Sequence, residues 1–180
     1  MINEKLVTPK VEVIYGSLTK PHSQYKDYYI VCRLDPENSD HKKLMEIVKK
    51  YLEQAKQIFK KKKLNVFIKK DEDENGEETG YYVLKAKSKY PIKFVNSQNS
   101  EIDPMDLPGG STCRLGLNIR SYDAGGNRGI TAKLNAVQVI SIGNGLGSGG
   151  FDFPVEEDVS PLEEEVSAQE PDGNDDDGDF

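Results

Sequence analysis

The chain has 180 residues with 31 acids against 24 bases, two cysteines and two histidines. No stretch approaches the roughly 18 consecutive apolar residues of a membrane span, and Cys32 and Cys113 are too few and too separated for a disulfide framework. His22 and His41 have no metal-ligand spacing with either cysteine, so neither a metal nor a cofactor is expected. Residues 1–30 carry no signal-peptide pattern, and the expected location is the cytoplasm.

The first 34 residues read as two strands, one around Val11-Glu12-Val13-Ile14-Tyr15 and one over Tyr28 to Leu34, rich in β-branched and aromatic residues. Asp35-Pro36-Glu37-Asn38-Ser39 then opens a helix with Asn38 or Ser39 as N-cap. Leu44, Ile47, Val48, Tyr51, Leu52, Ala55, Ile58 and Phe59 recur at steps of three and four, which makes one apolar stripe. Lys60 to Lys63 suits the negative end of the helix dipole.

A strand is expected over Leu64 to Lys69, followed by an acidic loop. Asp71, Asp73, Asn75 and Gly76 match the start of an EF-hand loop. However, its twelfth position, which needs a bidentate Glu, is Tyr82, and a strand pattern follows, so calcium is rejected. The loop reads instead as a hairpin turning at Asn75-Gly76.

From Tyr81 to Tyr90 the pattern alternates. Tyr82, Leu84 and Ala86 share one face, and Tyr81, Val83, Lys85, Lys87 and Lys89 the other. Lys93 to Val95 is extended. A second hairpin places Arg114, Gly116, Asn118, Arg120 and Tyr122 on one face and Leu115, Leu117 and Ile119 on the other, turning through Asp123 to Asn127. On the returning strand Ile130, Ala132 and Leu134 have one parity and Val137 and Val139 the opposite one. A bulge near Asn135 or Ala136 is needed to keep all five in the core.

After a Gly-rich linker (143–151) comes a segment of a different kind. Residues 152–180 hold 13 acids and no Lys or Arg, so residues 1–151 alone carry a net charge of +6 where the whole chain carries −7. So much like charge cannot offset its ordering entropy by burial, and a disordered acidic tail ending on Phe180 is expected. Asp175, Asp176, Asp177, Asp179 and Phe180 are the candidates for partner binding.

Mainly β structure with one inserted helix points to an OB-fold, a partly open Greek-key β-barrel, over residues 1–142. Tyr81, Lys85, Lys87 and Lys89 on one strand, and Arg114, Arg120, Tyr122, Arg128 and Lys133 on the hairpin, would form a basic groove interleaved with rings. Such a groove suits single-stranded nucleic acid, because cations pair with phosphates while rings stack unpaired bases. Body carboxylates outside the turn loop are scattered and no nucleophile–base pair emerges, which ranks an enzyme last.

Gly80-Tyr81-Tyr82-Val83-Leu84-Lys85-Ala86-Lys87-Ser88, the run from Asn127 to Val139, and the tail Asp175 to Phe180 resemble the phage replication single-stranded DNA-binding proteins with an OB fold. The resemblance spans about residues 8–142 and, in type, the tail. It implies strand protection without base specificity in replication and recombination, and tail contact with a polymerase, helicase-primase or recombination partner. A homodimer is one assembly the sequence permits. The alternative is a protein-interaction adaptor or DNA mimic whose acidic tail occupies another protein's DNA site.

Overall fold

The computed structural model describes residues 1–61 and 63–144; the tail, Phe180 and most of the Gly-rich linker lie outside the described residues. In chain order the elements are β1 (Asn3–Val7), β2 (Val11–Ser17), β3 (Tyr28–Leu34), α1 (Ser39–Phe59), β4 (Ile68–Glu72), β5 (Glu78–Ser88), β6 (Lys93–Val95), β7 (Thr112–Ala124) and β8 (Asn127–Ser141). The first 34 residues thus hold three strands where two were expected. The additional one, β1, lies antiparallel along β7 and is mostly exposed. The strand expected over 64–69 starts later, at Ile68.

Five strands close a ring. β7 pairs β2, β2 pairs β3, β3 pairs β5, β5 meets β8, and β8 returns to β7. Every joint is antiparallel except the β5–β8 seam, which is parallel and held by one ladder pair, Lys87 opposite Lys133. This is the OB-type barrel, with α1 inserted between β3 and β4. Its interior is filled by the inward parity of each strand: Val11 and Val13, Ile30, Cys32 and Leu34, Leu84 and Ala86, Leu115, Leu117 and Ile119, and Ile130, Ala132 and Leu134. The register of β7 against β8 slips between Gly116 and Leu117. Ala136 faces the first and Leu134 the second, so Asn135 is the extra residue. That bulge returns Val137 and Val139 to the interior.

A second bulge decides what faces outward. β2 pairs β3 through Val13 opposite Cys32 and Tyr15 opposite Val31, which leaves Ile14 as the inserted residue. Strict alternation would have buried Tyr15 with Val11 and Val13. The bulge turns it out, and it is 54% exposed.

Asn38 caps α1, its side chain accepting from the amides of Asp40 and His41. His41 is a structural residue: its Nδ1 accepts from the Asp35 amide at 2.9 Å, and its Nε2 donates to the Lys10 carbonyl at 2.8 Å. The helix buries Leu44, Val48 and Ala55 and ends at Lys60 in the left-handed region. The stripe runs to its expected end, with Tyr51, Leu52 and Phe59 half-buried against the core, and only Ile58 is exposed.

The acidic hairpin turns as expected, with Gly76 at φ +80. Asp73 Oδ1 accepts from the amides of Asn75 and Glu77. Those bonds lower its pKa and use the carboxylate to close the turn. Among the described residues, no group of three or more His, Cys, Asp or Glu side chains is placed to hold a metal. Cys32 and Cys113 are free, buried thiols; a hydrogen bond between them and burial raise the pKa of Cys32. No described helix is long and apolar enough to cross a membrane.

Asp106 ties the loop after β2 to the loop before β7. Its Oδ1 accepts from the Leu18 and Thr19 amides at 2.6 and 3.0 Å, and its Oδ2 from the Thr19 hydroxyl at 2.6 Å. Desolvation pushes its pKa up, but these donors and the charge of Lys20 outweigh it, leaving the pKa below the usual value. A lowered carboxylate pKa contributes stability above about pH 4, and that contribution is lost as pH falls through the folded-state value. Asp106→Ala is therefore expected to cost about 1–2 kcal/mol at neutral pH. The gap to the parent should close below about pH 4 in urea unfolding. A gap that is constant with pH would rule out the charge as its source.

Candidate nucleic-acid interface

Two cross-strand rows build the outer face of β2, β3 and β5. Tyr15 lies opposite Val31, and Val31 opposite Lys85; Ser17 lies opposite Tyr29, and Tyr29 opposite Lys87. The second row continues across the seam to Lys133. The seam is held by that one pair, and beyond it the segment leaving α1 bonds to both strands, Asn65 bridging Gly129 of β8 and the Lys85 amide of β5 donating to the Phe67 carbonyl. A groove of about 720 Å³ opens there, with Tyr15, Val31, Phe67, Lys85, Tyr122 and Thr131 among its walls. A smaller pocket of about 350 Å³ adjoins it, sharing Tyr15, Lys85 and Lys87 and adding His22, Tyr25, Asp27 and Tyr29.

The segment leaving α1 forms the far wall of the groove. The Asn65 amide donates to the Arg128 carbonyl, and the Ile130 amide donates to the Asn65 carbonyl, both at 2.9 Å. The Asn65 and Asn127 side chains are also hydrogen-bonded. Phe67 is thereby held against the barrel, 8% exposed.

Charge and rings alternate along this face. Lys85 Nζ sits 5.5 Å from the Tyr29 ring centre, the Arg33 guanidinium 5.3 Å from that of Tyr81, and Lys133 Nζ 5.2 Å from that of Tyr90. Tyr15 and Tyr29 meet edge to face at 6.3 Å. Tyr25 is 64% exposed and Tyr15 54%, so each ring, although Tyr25 meets His22 at 5.1 Å and Tyr15 meets Tyr29, leaves surface open to a planar partner.

The nine residues expected from the sequence separate here. Lys85, Lys87 and Tyr122 line the groove. Tyr81 lies on the same outer face of β5 beneath Arg33, and Lys133 stands opposite Lys87 across the seam. Lys89 follows the end of β5 and is exposed. Three arginines are not among the groove walls, although Arg120 lies opposite the wall residue Thr131. Arg114 donates to the Gln138 side chain at 3.3 Å, and Arg120 is exposed on β7 opposite Asn3 of β1. Arg128 donates to Asp123 at 2.6 Å and covers the Phe59 ring, which fastens the hairpin to the end of the helix. Conversely, Tyr15, His22, Tyr25, Tyr29 and Lys69 line the two depressions although sequence reasoning did not select them.

The closed five-stranded barrel is of the OB type, a fold that includes binders of oligonucleotides. The chain belongs to the family of the ssDNA-binding protein of Enterobacter phage Enc34, whose model matches residues 4–165. Its fold is similar to that of the bacteriophage Enc34 protein solved in complex with ssDNA, at TM-score 0.65 and 20% identity over 79% of this chain and 89% of that one. It is also similar to gp2.5, the single-stranded DNA-binding protein encoded by bacteriophage T7, at TM-score 0.65 and 12% identity over 82% of this chain and 91% of that one. No curated protein matches the sequence.

Proposed function

We propose that the chain binds and protects single-stranded DNA through the face built on β2, β3 and β5, without catalysis, in phage replication and recombination within the host cytoplasm. The observation that supports this most is the alternation of Tyr15, Tyr29, Lys85 and Lys87 beside an open groove, in a chain of the Enc34 family. Lysines neutralise phosphates and release counterions, while tyrosines stack bases whatever their identity. A duplex hides its base faces and would leave the rings idle.

In this reading residues 1–142 are the DNA-binding domain and 143–151 a linker. The acidic tail, 152–180, competes for the basic face until DNA displaces it. That frees Phe180 with Asp175, Asp176, Asp177 and Asp179 to recruit replication proteins such as a polymerase or helicase-primase.

A titration of single-stranded DNA, duplex and RNA across salt, with full-length and tail-deleted protein, tests both parts. Single strands should bind most tightly, and deletion of 152–180 should tighten them further. Weaker binding after deletion would overturn the competition. Absence of single-strand binding at low salt would favour a DNA-mimic adaptor instead.

The same titration separates free from engaged cations. Lys85→Ala should lessen the slope of log K against log salt by about 0.7, one phosphate of a single strand. Arg128→Ala should leave that slope unchanged.

A further inference from the structure

One acid stands where an anion-binding face would not be expected to tolerate it. Asp27, at the entrance to β3, is only 8% exposed and lines the smaller pocket. The loop before it holds it in place. The His22 amide donates to the Asp27 carbonyl and the Lys26 amide to the His22 carbonyl, both at 2.8 Å, with Lys26 in the left-handed region at φ 55. Asp27 Oδ2 lies 3.5 Å from Lys87 Nζ, whereas Oδ1 has no hydrogen-bond partner. Around it stand His22 and Tyr25, tilted together at 5.1 Å, and Tyr29, edge-on to His22 at 6.0 Å.

A buried carboxylate is stable only when paired, and its cation here is the same lysine that faces the phosphate path. The Lys87 side chain is 56% exposed, free to turn toward a phosphate. Once it does, Asp27 needs another donor, and an ionised carboxylate can only accept. A base stacked on Tyr25 meets it edge-on. Cytosine presents its N4 amino group and adenine its N6 amino group at the rim of the base, while the one edge donor of thymine, N3–H, is flanked on both sides by carbonyl oxygens, O4 and O2, that the carboxylate repels.

We infer that Asp27 makes the smaller pocket a reader of exocyclic amino groups, biasing one position of the bound strand toward amino-bearing bases and against thymine. This rests on the single-stranded DNA reading of the groove and adds a preference to it. A bias at one position is compatible with coating strands of any sequence.

The test compares homopolymers of about eight nucleotides, within the usual span of one OB fold. Oligo-dC, oligo-dT and oligo-dC methylated twice at N4 are titrated against the full-length protein by anisotropy at fixed salt. Oligo-dC should bind roughly threefold to tenfold tighter than oligo-dT, the range of one net hydrogen bond. The dimethylated strand, which lacks the donor, should fall to the thymine level. Asp27→Asn should raise thymine affinity and flatten the ratio. The methylation arm uses the unaltered protein and so needs no variant to fold. Equal binding of dC and dT, or of dC and its dimethylated form, overturns this inference and leaves the groove reading standing. Failure of all three strands to bind overturns the groove reading and this inference with it.

Discussion

Replacing Tyr15 and Tyr29 together by alanine is expected to weaken single-stranded DNA binding at least about thirtyfold, since each stacked base contributes about 1–3 kcal/mol. The two rings touch edge to face at 6.3 Å, so the double loss should differ from the sum of the single ones. Tyr29 is also the ring beneath Lys85 Nζ at 5.5 Å, so its removal loosens a cation as well. Tyr15, 54% exposed on a bulged strand, should give the cleaner single effect, with little loss of stability. Anisotropy with labelled oligonucleotides measures the first quantity and thermal unfolding the second. If the double variant binds within threefold of the parent, the outer face of β2 and β3 is not the stacking surface.

Gly129→Ala is expected to be strongly damaging to the fold. A Cβ at this position would lie 2.2 Å from the Asn65 carbonyl oxygen and within 2.9 Å of two more backbone atoms of Asn65. Backbone cannot swing aside as a side chain can, so the segment leaving α1 must lift off β8. The hydrogen bond from the Ile130 amide to the Asn65 carbonyl breaks with it. Overpacking and the lost bond together should cost about 3 kcal/mol, or roughly 10 °C in Tm. The far wall of the groove moves too, so DNA affinity should fall even where the variant stays folded. Gly116→Ala is the matched control. Its Cβ would meet the Ala136 methyl at 3.3 Å and the Ala136 backbone no closer than 3.7 Å, and the cost should be under about 1 kcal/mol. Equal loss in the two variants would show that chain flexibility, not the clash, sets the cost.

Elements with their own periodicity were legible without coordinates. The helix stripe, the Asn75-Gly76 hairpin, the alternation from Tyr81 to Ser88 and the bulge at Asn135 each follow from spacing within one segment. The bulge at Ile14 left no comparable mark. In Val11-Glu12-Val13-Ile14-Tyr15 the slip falls just before the last residue, and no later apolar residue shows the broken parity. Tyr29 was hidden differently. It lies in a run, Tyr28 to Cys32, that is apolar at every position and so carries no period from which to choose an outer face. β1 escaped notice because an edge strand with one neighbour buries almost nothing.

Charge residues show the limit from the other side. Parity placed Arg114, Arg120 and Arg128 outward, where they are, but parity says nothing about what an outward side chain meets. Arg128 meets Asp123 and Phe59, and Arg114 meets Gln138. Asp27 had no local signature either, because its importance lies in facing Lys87 from the far end of β3.

The order of residues thus settled the basic body and acidic end, the helix over 39–59, the hairpins and the barrel type, because each depends on spacing or composition within one stretch of chain. The groove was decided only in three dimensions. It lies where β5 and β8, far apart in sequence, meet in parallel at the single pair Lys87–Lys133, with the segment around Asn65 and Phe67 beside it and Tyr15, Tyr29 and Lys85 lining the open depressions. Long-range pairing sets that geometry, and no local pattern encodes it.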